Sequence, residues 1–342
     1  MRLPLPWLLA LTGGALALLL VGSLATGPMS LSFGESLRAL FAGQESGMEA
    51  HKLLVVKEIR LPRTLLCIAV GGILGLCGAV MQGLFRNPLA DPGIIGVSGG
   101  AALGAALAIV LLAPLGQQLQ ALLGLGLLPL LAFLGGALTT TLVYLLGTRE
   151  GGTSVTVMLL AGVAITALSG AVIGLLTYLA DDQMLRNLSL WQMGSLAAGK
   201  PVDVALALLT LATLLLLFAR DANPLNALLL GEGEARHLGV NVQALKRRLI
   251  LLTAAGVGVA VAVAGMIGFV GLVVPHLARL LAGPNHVRLL PLSALLGAAL
   301  LLGADMLART LLAPAEMPVG IITALMGAPF FIWLLVKSRR PL

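Results

Sequence analysis

Residues 154–179 read SVTVMLLAGVAITALSGAVIGLLTYL, without one Asp, Glu, Lys or Arg. At about 1.5 Å of rise per residue a helix of this length extends about 39 Å, more than the ~30 Å hydrocarbon core of a bilayer. The apolar residues follow one another instead of alternating. The run therefore reads as a membrane-crossing helix, not as a barrel strand with one lipid-facing and one lumen-facing side. Charges close it at both ends: Arg149 and Glu150 before it, Asp181 and Asp182 after it.

Outward from this run in both directions the same pattern recurs. Apolar stretches separated by polar breaks predict spans at about 5–26, 64–84, 93–114, 120–147, 154–179, 202–219, 249–269, 272–283, 289–312 and 318–336. The eighth is too short to cross alone, so it is expected to be tilted, broken or extended. The expected fold is all-α, a polytopic membrane protein of about ten transmembrane helices forming a single permease-like domain over residues 1–342. Composition agrees, since 59% of the 342 residues are hydrophobic and only 10% charged, against about 25% charged in soluble domains. In lipid the backbone must satisfy itself, which helices do. The first apolar run, to about Ala25, exceeds the roughly 7–15-residue core of a signal peptide. Many spans follow it, and it reads as a retained first helix.

The formal net charge is +7. With the N-terminus inside, the inner segments carry Arg2, Arg86, Arg149, Arg220, Arg236, Lys246, Arg247, Arg248, Arg279, Arg288, Lys337, Arg339 and Arg340. The outer segments carry Arg38, Lys52, Lys57, Arg60, Arg63, Arg186, Lys200 and Arg309. The excess on the first side places both termini in the cytoplasm by the positive-inside rule. No basic tract interleaved with aromatics suggests nucleic-acid binding. Cys67 and Cys77, ten residues apart on one helix, would be separated by about 15 Å, too far for a disulfide.

Three connections are long: 27–62 and 180–201 on the outer side and 220–248 on the inner. Long loops in compact proteins tend to carry function. In the inner one, Asn223-Pro224 has the form of a helix start, with Asn as cap and Pro at the first position. Gly231-Glu232-Gly233-Glu234-Ala235-Arg236-His237-Leu238-Gly239 follows. Its acids come early and its bases late, as the helix dipole favours, and Gly239 can end it in the left-handed conformation. The loop thus predicts two short helices joined at glycine, either a knob that docks in a groove of another protein or a solvated connector. Gly71/Gly75 and Gly100/Gly104 are GxxxG pairs, which allow close helix packing within the chain or across a dimer seam.

The pattern Gly231, Glu232, Ala235, Arg236, Leu238, Gly239 resembles the coupling-loop motif of FecCD-type permeases, the membrane subunits of ABC importers for iron-siderophores, haem and cobalamin. Further stretches agree in order: Arg60-Leu61-Pro62-Arg63-Thr64; Gln82-Gly83 and Arg86 to Gly93, then Gly96-Val97-Ser98; Gly268-Phe269, Gly271-Leu272 and Pro275-His276; Glu316 to Gly320; and Gly327 to Phe331. The likeness covers roughly residues 55 to 340. It implies a ten-helix subunit in the inner membrane of a bacterium, paired as a homodimer. Two cytoplasmic ATPase subunits would hold the 231–239 loops, with ATP and magnesium on those partners and no cofactor on this chain. A periplasmic binding protein would deliver cargo to the outer face, and the fifth span would line the pathway.

Within that resemblance Arg60, Arg63 and Arg309 sit where family members meet acidic residues of the binding protein. A guanidinium fork suits carboxylates. The alternatives are lipid phosphate or an internal pair, with Asp305 one helical turn from Arg309. Tyr178, Arg186, Trp191 and Met193, after the fifth span, would border the outer gate. The segment Leu185-Arg186 to Trp191, then Gly194-Ser195-Leu196, looks most like haem-importing members. The 83–98 stretch reads as a structural corner or a second surface near the ATPase. His276 follows Pro275 in a pair common to the family and does not single out haem. No G-x-x-x-x-G-K-[ST] phosphate loop, metal-site spacing or catalytic constellation is present, so the chain is expected not to be an enzyme. The rival class is an ion-gradient-driven secondary transporter, which keeps ionisable groups at mid-membrane. Here the charges lie at span ends.

Overall fold

The structure is a computed structural model that describes residues 4–27, 29, 31–41, 49–112, 126–149, 152–197 and 199–338. Its helices are α1 (Leu5–Ala25), α2 (Phe33–Phe41), α3 (Ala50–Leu54), α4 (Leu61–Leu84), α5 (Val97–Val110), α6 (Leu127–Gly147), α7 (Val155–Leu179), α8 (Asp182–Gln192), α9 (Pro201–Leu229), α10 (Glu232–His237), α11 (Val242–Ala264), α12 (Val270–Ala282), α13 (His286–Thr310) and α14 (Val319–Ser338). A π-helical segment, Val55–Arg60, joins α3 to α4 without a break. Among the described residues seven helices are long and apolar enough to cross a membrane, and α5, α12 and the Val319–Leu334 part of α14 are shorter apolar helices. Each of the ten expected spans contains a described helix, with residues 113–114 of the third and 120–125 of the fourth lying outside the described residues and α5, at 14 residues, shorter than the sequence suggested.

Capping residues set several of the boundaries. Ser154 opens α7, Asp181 opens α8, Asn241 opens α11 and Asn285 opens α13, each accepting from a backbone N–H of the first turn and so satisfying an otherwise orphaned donor. Near one end of the bundle the described part of the 27–62 connection includes α2, α3 and the π-helical segment. Ser32 and Glu35 form a reciprocal capping box: the Ser32 N–H donates to Glu35 Oε2 at 2.9 Å and the Glu35 N–H to Ser32 Oγ at 3.2 Å. The sequence carried this signature as Ser-x-x-Glu.

α4 is the central helix, packed by α13, α9, α12 and α11, with nearly every side chain from Arg63 to Leu84 inside. Its glycines explain how. A Cβ on Gly71 would collide with the Gly297 carbonyl, and one on Gly75 with the Ser293 carbonyl. On α5, Gly100 and Gly104 meet the carbonyls of Gly135 and Leu131 on α6 in the same way. Both GxxxG pairs therefore serve packing within the chain, where backbones approach too closely for any side chain. Cys67 and Cys77 are free and buried on α4.

One boundary corrects the sequence reading. Asn223-Pro224 does not start a helix, because α9 runs through it to Leu229 with Pro224 inside. An interior proline costs about 3 kcal/mol, and tertiary contacts offset it. Leu225 and Leu228 are buried in the core, and Asp221 and Asn226 are bonded to α11 and α13, as described below.

Candidate functional site

The bundle presents two built ends. At one lies the motif of residues 231–239. Gly231, at φ +125°, and Gly239, at φ +84°, adopt backbone conformations that side chains disfavour, so the six-residue α10 is turned sharply out of α9 and sharply back into α11. Ala235 is its one fully buried residue, facing the bundle, while Gly233, Glu234, Arg236, His237 and Leu238 are exposed. Leu229, Leu230 and Leu238 are exposed apolar side chains around it. The result is a knob with an apolar collar and a charged crown, a form suited to a groove on a partner.

The knob is firmly held. Glu232 lies 2.6 Å from Lys246 Nζ on α11, and the nearest approach of Arg236 to Glu232 is 4.0 Å. Lys246, almost wholly buried, also donates to the Thr153 carbonyl at 2.9 Å. The Thr153 N–H in turn donates to Gln243 Oε1 at 3.0 Å. Thr153 belongs to a two-residue strand pair, Thr148–Arg149 with Gly152–Thr153, that joins α6 to α7. Behind the knob, Arg248 Nε donates to Asp221 Oδ2 at 2.9 Å. Asn226 Oδ1 accepts from the His286 N–H at 2.8 Å, and Asn226 Nδ2 donates to Asn285 Oδ1 at 3.0 Å. α9, α10, α11, α13 and the start of α7 are therefore bonded together at this end. The 83–98 corner adjoins them, since a Cβ on Gly231 would sit 3.9 Å from Arg86 Nη1. In that corner Asp91 caps a 3-10 turn, donated to by the Gly93 N–H at 2.7 Å, and burial pushes its carboxyl above the usual range.

At the other end the structure brings Arg60, Arg63 and Arg309 together and turns all three inward. Arg63 donates from Nε and Nη2 to Asp305 Oδ1 at 3.0 and 2.9 Å, and from Nη1 to Glu316 at 2.7 Å. Arg309 Nε lies 3.1 Å from Asp305 Oδ2, so the internal pair that the spacing allowed is made. The remaining donors cap α1. Arg309 reaches the carbonyls of Ser23 and Thr26 at 3.2 and 3.1 Å. Arg60 reaches those of Leu24 and Ala25 at 2.7 and 2.9 Å, and also that of Met29. Cations suit a helix C-terminus, and these carbonyls have no partner within the helix. All three arginines are buried, so the surface reading, in which their forks face a partner's carboxylates, gives way to an internal one. Asp305, wholly buried, holds the cluster together.

Of the four expected gate residues, Tyr178 and Met193 are exposed, Arg186 is exposed on α8, and Trp191 packs against the core. What organises this region is backbone. The Gly320 N–H donates to the Met193 carbonyl at 3.1 Å, and the Ser195 N–H to the Ala264 carbonyl at 2.8 Å. The end of α8 is thereby tied to the end of α11 and the start of α14. His276 stacks edge-on against Phe330, ring centroids 5.9 Å apart. In the sequence Lys246 stands only among the basic residues of the inner loop, and nothing marks Thr153. Neither carries a motif; their partnership exists only in three dimensions.

The model of the FecCD transport family matches residues 11–337. The chain belongs to that family. It is accordingly a transmembrane permease subunit of the ABC-importer kind. This permease is 48% identical to the hemin transport system permease protein HmuU of Yersinia pestis, over 99% of its own length and 97% of the relative's. It is 45% identical to the vitamin B12 import system permease protein BtuC of Citrobacter koseri, over 84% of each chain. Among solved structures, a metal-chelate type ABC transporter in an inward-facing conformation superposes with a TM-score of 0.83 at 35% identity, covering 97% of this chain and 99% of that one.

Proposed function

We propose that this permease imports haem by alternating access, as a homodimer whose two α10 knobs each hold a cytoplasmic ATPase subunit that binds ATP and magnesium. Cargo arrives from a periplasmic binding protein at the Arg60–Arg63–Arg309 end. There the arginines hold the docking surface in shape from beneath it. The chain lies in the inner membrane with both termini cytoplasmic, and α7 lines the pathway, with Tyr178, Arg186, Trp191 and Met193 near its outer mouth. The chain itself binds no cofactor.

The observation that carries the cargo assignment is the 48% likeness to a hemin permease over almost the whole chain, against 45% or less for the cobalamin permeases cited, over less of it. The observation that supports the ATP-driven architecture is the knob itself, with its exposed leucines and glycine hinges. The test is uptake into proteoliposomes containing the permease, its ATPase and its binding protein, with haem, a ferric siderophore and cobalamin compared. ATP-dependent uptake of haem alone is expected. Uptake of another cargo would overturn the haem assignment and keep the architecture. Gradient-driven uptake without the ATPase would overturn both.

A further inference from the structure

We infer that Lys246 is the positioning residue through which α10 moves α7, and that the Thr153 peptide is the point where it grips. This rests on the reading of α10 as the ATPase-binding knob. Thr153 immediately precedes Ser154, the cap of α7. Both of its backbone polar groups are held from α11, the N–H by Gln243 and the carbonyl by Lys246. These two residues are three apart, on one face of α11. The same Lys246 ammonium is held by Glu232 in the first turn of α10. One buried cation thus bonds the knob and the entry to α7 at once.

The chemistry makes this link stiff. An ammonium has three donors, and two are spent on these oxygens; the ammonium itself is buried, while the Glu232 carboxylate is about one-third exposed. Separating the buried ammonium from either oxygen leaves a charge or a carbonyl unpaired in low dielectric. A displacement of α10 therefore carries Lys246, and Lys246 carries Thr153, in preference to breaking the bonds. Gln243 restrains the same peptide through its N–H, so α7 follows by translation of its first turn and the Thr153 peptide cannot rotate away.

The test uses the full permease in complex with its ATPase. Cys67 and Cys77 are buried, so a cysteine introduced as Thr156→Cys, at an exposed position in the first turn of α7, is labelled selectively. Its rate of reaction with a maleimide is measured with and without ATP plus magnesium. In the otherwise unaltered permease the nucleotide should change that rate at least threefold. Lys246→Met should reduce the change to under 1.5-fold while the ATPase stays bound and hydrolyses ATP, and Lys246→Arg should restore it. Gln243→Leu, which removes the second grip and leaves the buried cation in place, should weaken the change by about half. It carries the test if Lys246→Met does not fold. A nucleotide response unaltered in Lys246→Met, or in Gln243→Leu where that variant stands alone, overturns the inference. So does the absence of any response at position 156 in a complex with bound ATPase. If the unaltered permease captures no ATPase at all, it is the underlying reading of α10 that fails.

Discussion

Replacing Asp305 by Asn keeps the shape of the buried cluster and removes its central charge. In the native arrangement this carboxylate accepts from Arg63 at 2.9 and 3.0 Å and lies 3.1 Å from Arg309 Nε. The carboxylate is wholly buried and both guanidinium groups are nearly so. Removing one partner of a buried ion pair costs about 3–5 kcal/mol because the other charge is left uncompensated. Here two cations lose the same anion, although Glu316 still holds Arg63 and the α1 carbonyls still hold Arg309, so the upper half of that range is expected. At roughly 2 °C per kcal/mol for a large chain, the apparent melting temperature should fall by about 8–10 °C. A thiol-reactive fluorogenic dye reads this directly, since Cys67 and Cys77 lie buried on α4 and react only when that helix is exposed. Such unfolding is irreversible, so variants are compared at one heating rate. A fall below about 2 °C would refute the argument. The same assay decides the role of the arginines. Arg63→Met and Arg309→Met should each lower the melting temperature; a normal melt with weakened binding-protein affinity would restore them as direct docking contacts.

Three further outcomes follow from other parts of the molecule. Leu230→Glu or Leu238→Glu should abolish co-purification of the ATPase while leaving the melt almost unchanged, because substitutions at exposed positions usually shift stability by no more than about 0.5 kcal/mol. Gly104→Ala should destabilise by about 1–3 kcal/mol through overpacking, since its Cβ would enter the Leu131 carbonyl on α6; an unchanged melt would contradict that packing. Glu35 is held down to about 2 by the Ser32 backbone N–H first and then by Lys52. A lowered carboxyl pKa contributes stability above the ordinary value near 4.5 and loses it as pH falls toward the folded value. Amide protection of α2 should therefore decline between about pH 4.5 and 2, and Glu35→Gln should show lowered protection already at pH 7; a pH-independent protection in the native chain would refute the capping role.

The ten spans were legible because apolar run length is a one-dimensional property and lipid imposes it on each helix separately. The α10 turn was legible for a similar reason: its two glycines sit where the chain must reverse, and its acids and bases sit at the proper ends. Pro224 misled because local propensity favours a helix start there, while the bonds of Asp221 and Asn226 to distant helices carry α9 through. The arginines misled in another way. Their position at span ends is correct, but whether a guanidinium at a span end points out or in depends on what it finds inside. Arg63 finds Asp305, 242 residues away, and Arg60 and Arg309 find the bare end of α1. Only the pairing of Arg309 with Asp305, one turn apart, was within reach of spacing. The capping box at Ser32 and Glu35 was present in the sequence as a plain motif, inside a segment read as a loop.

The arginine cap on α1 has a consequence for biosynthesis. The chain emerges from the ribosome N-terminus first, so the end of α1 enters the membrane before the groups that satisfy it exist. Arg60 follows Leu24 by 36 residues, only a few seconds of synthesis at about 5–20 residues per second. Arg309 follows Ser23 by 286 residues, roughly 15 to 60 s later at the same speed. During that interval the C-terminus of α1 has the Arg60 guanidinium and the Ser36 hydroxyl, which donates to the Leu24 carbonyl at 3.3 Å, but not yet Arg309. The nascent permease thus carries a provisional seal that α13 completes, and α1, made long before α13, is among the last helices to be locked.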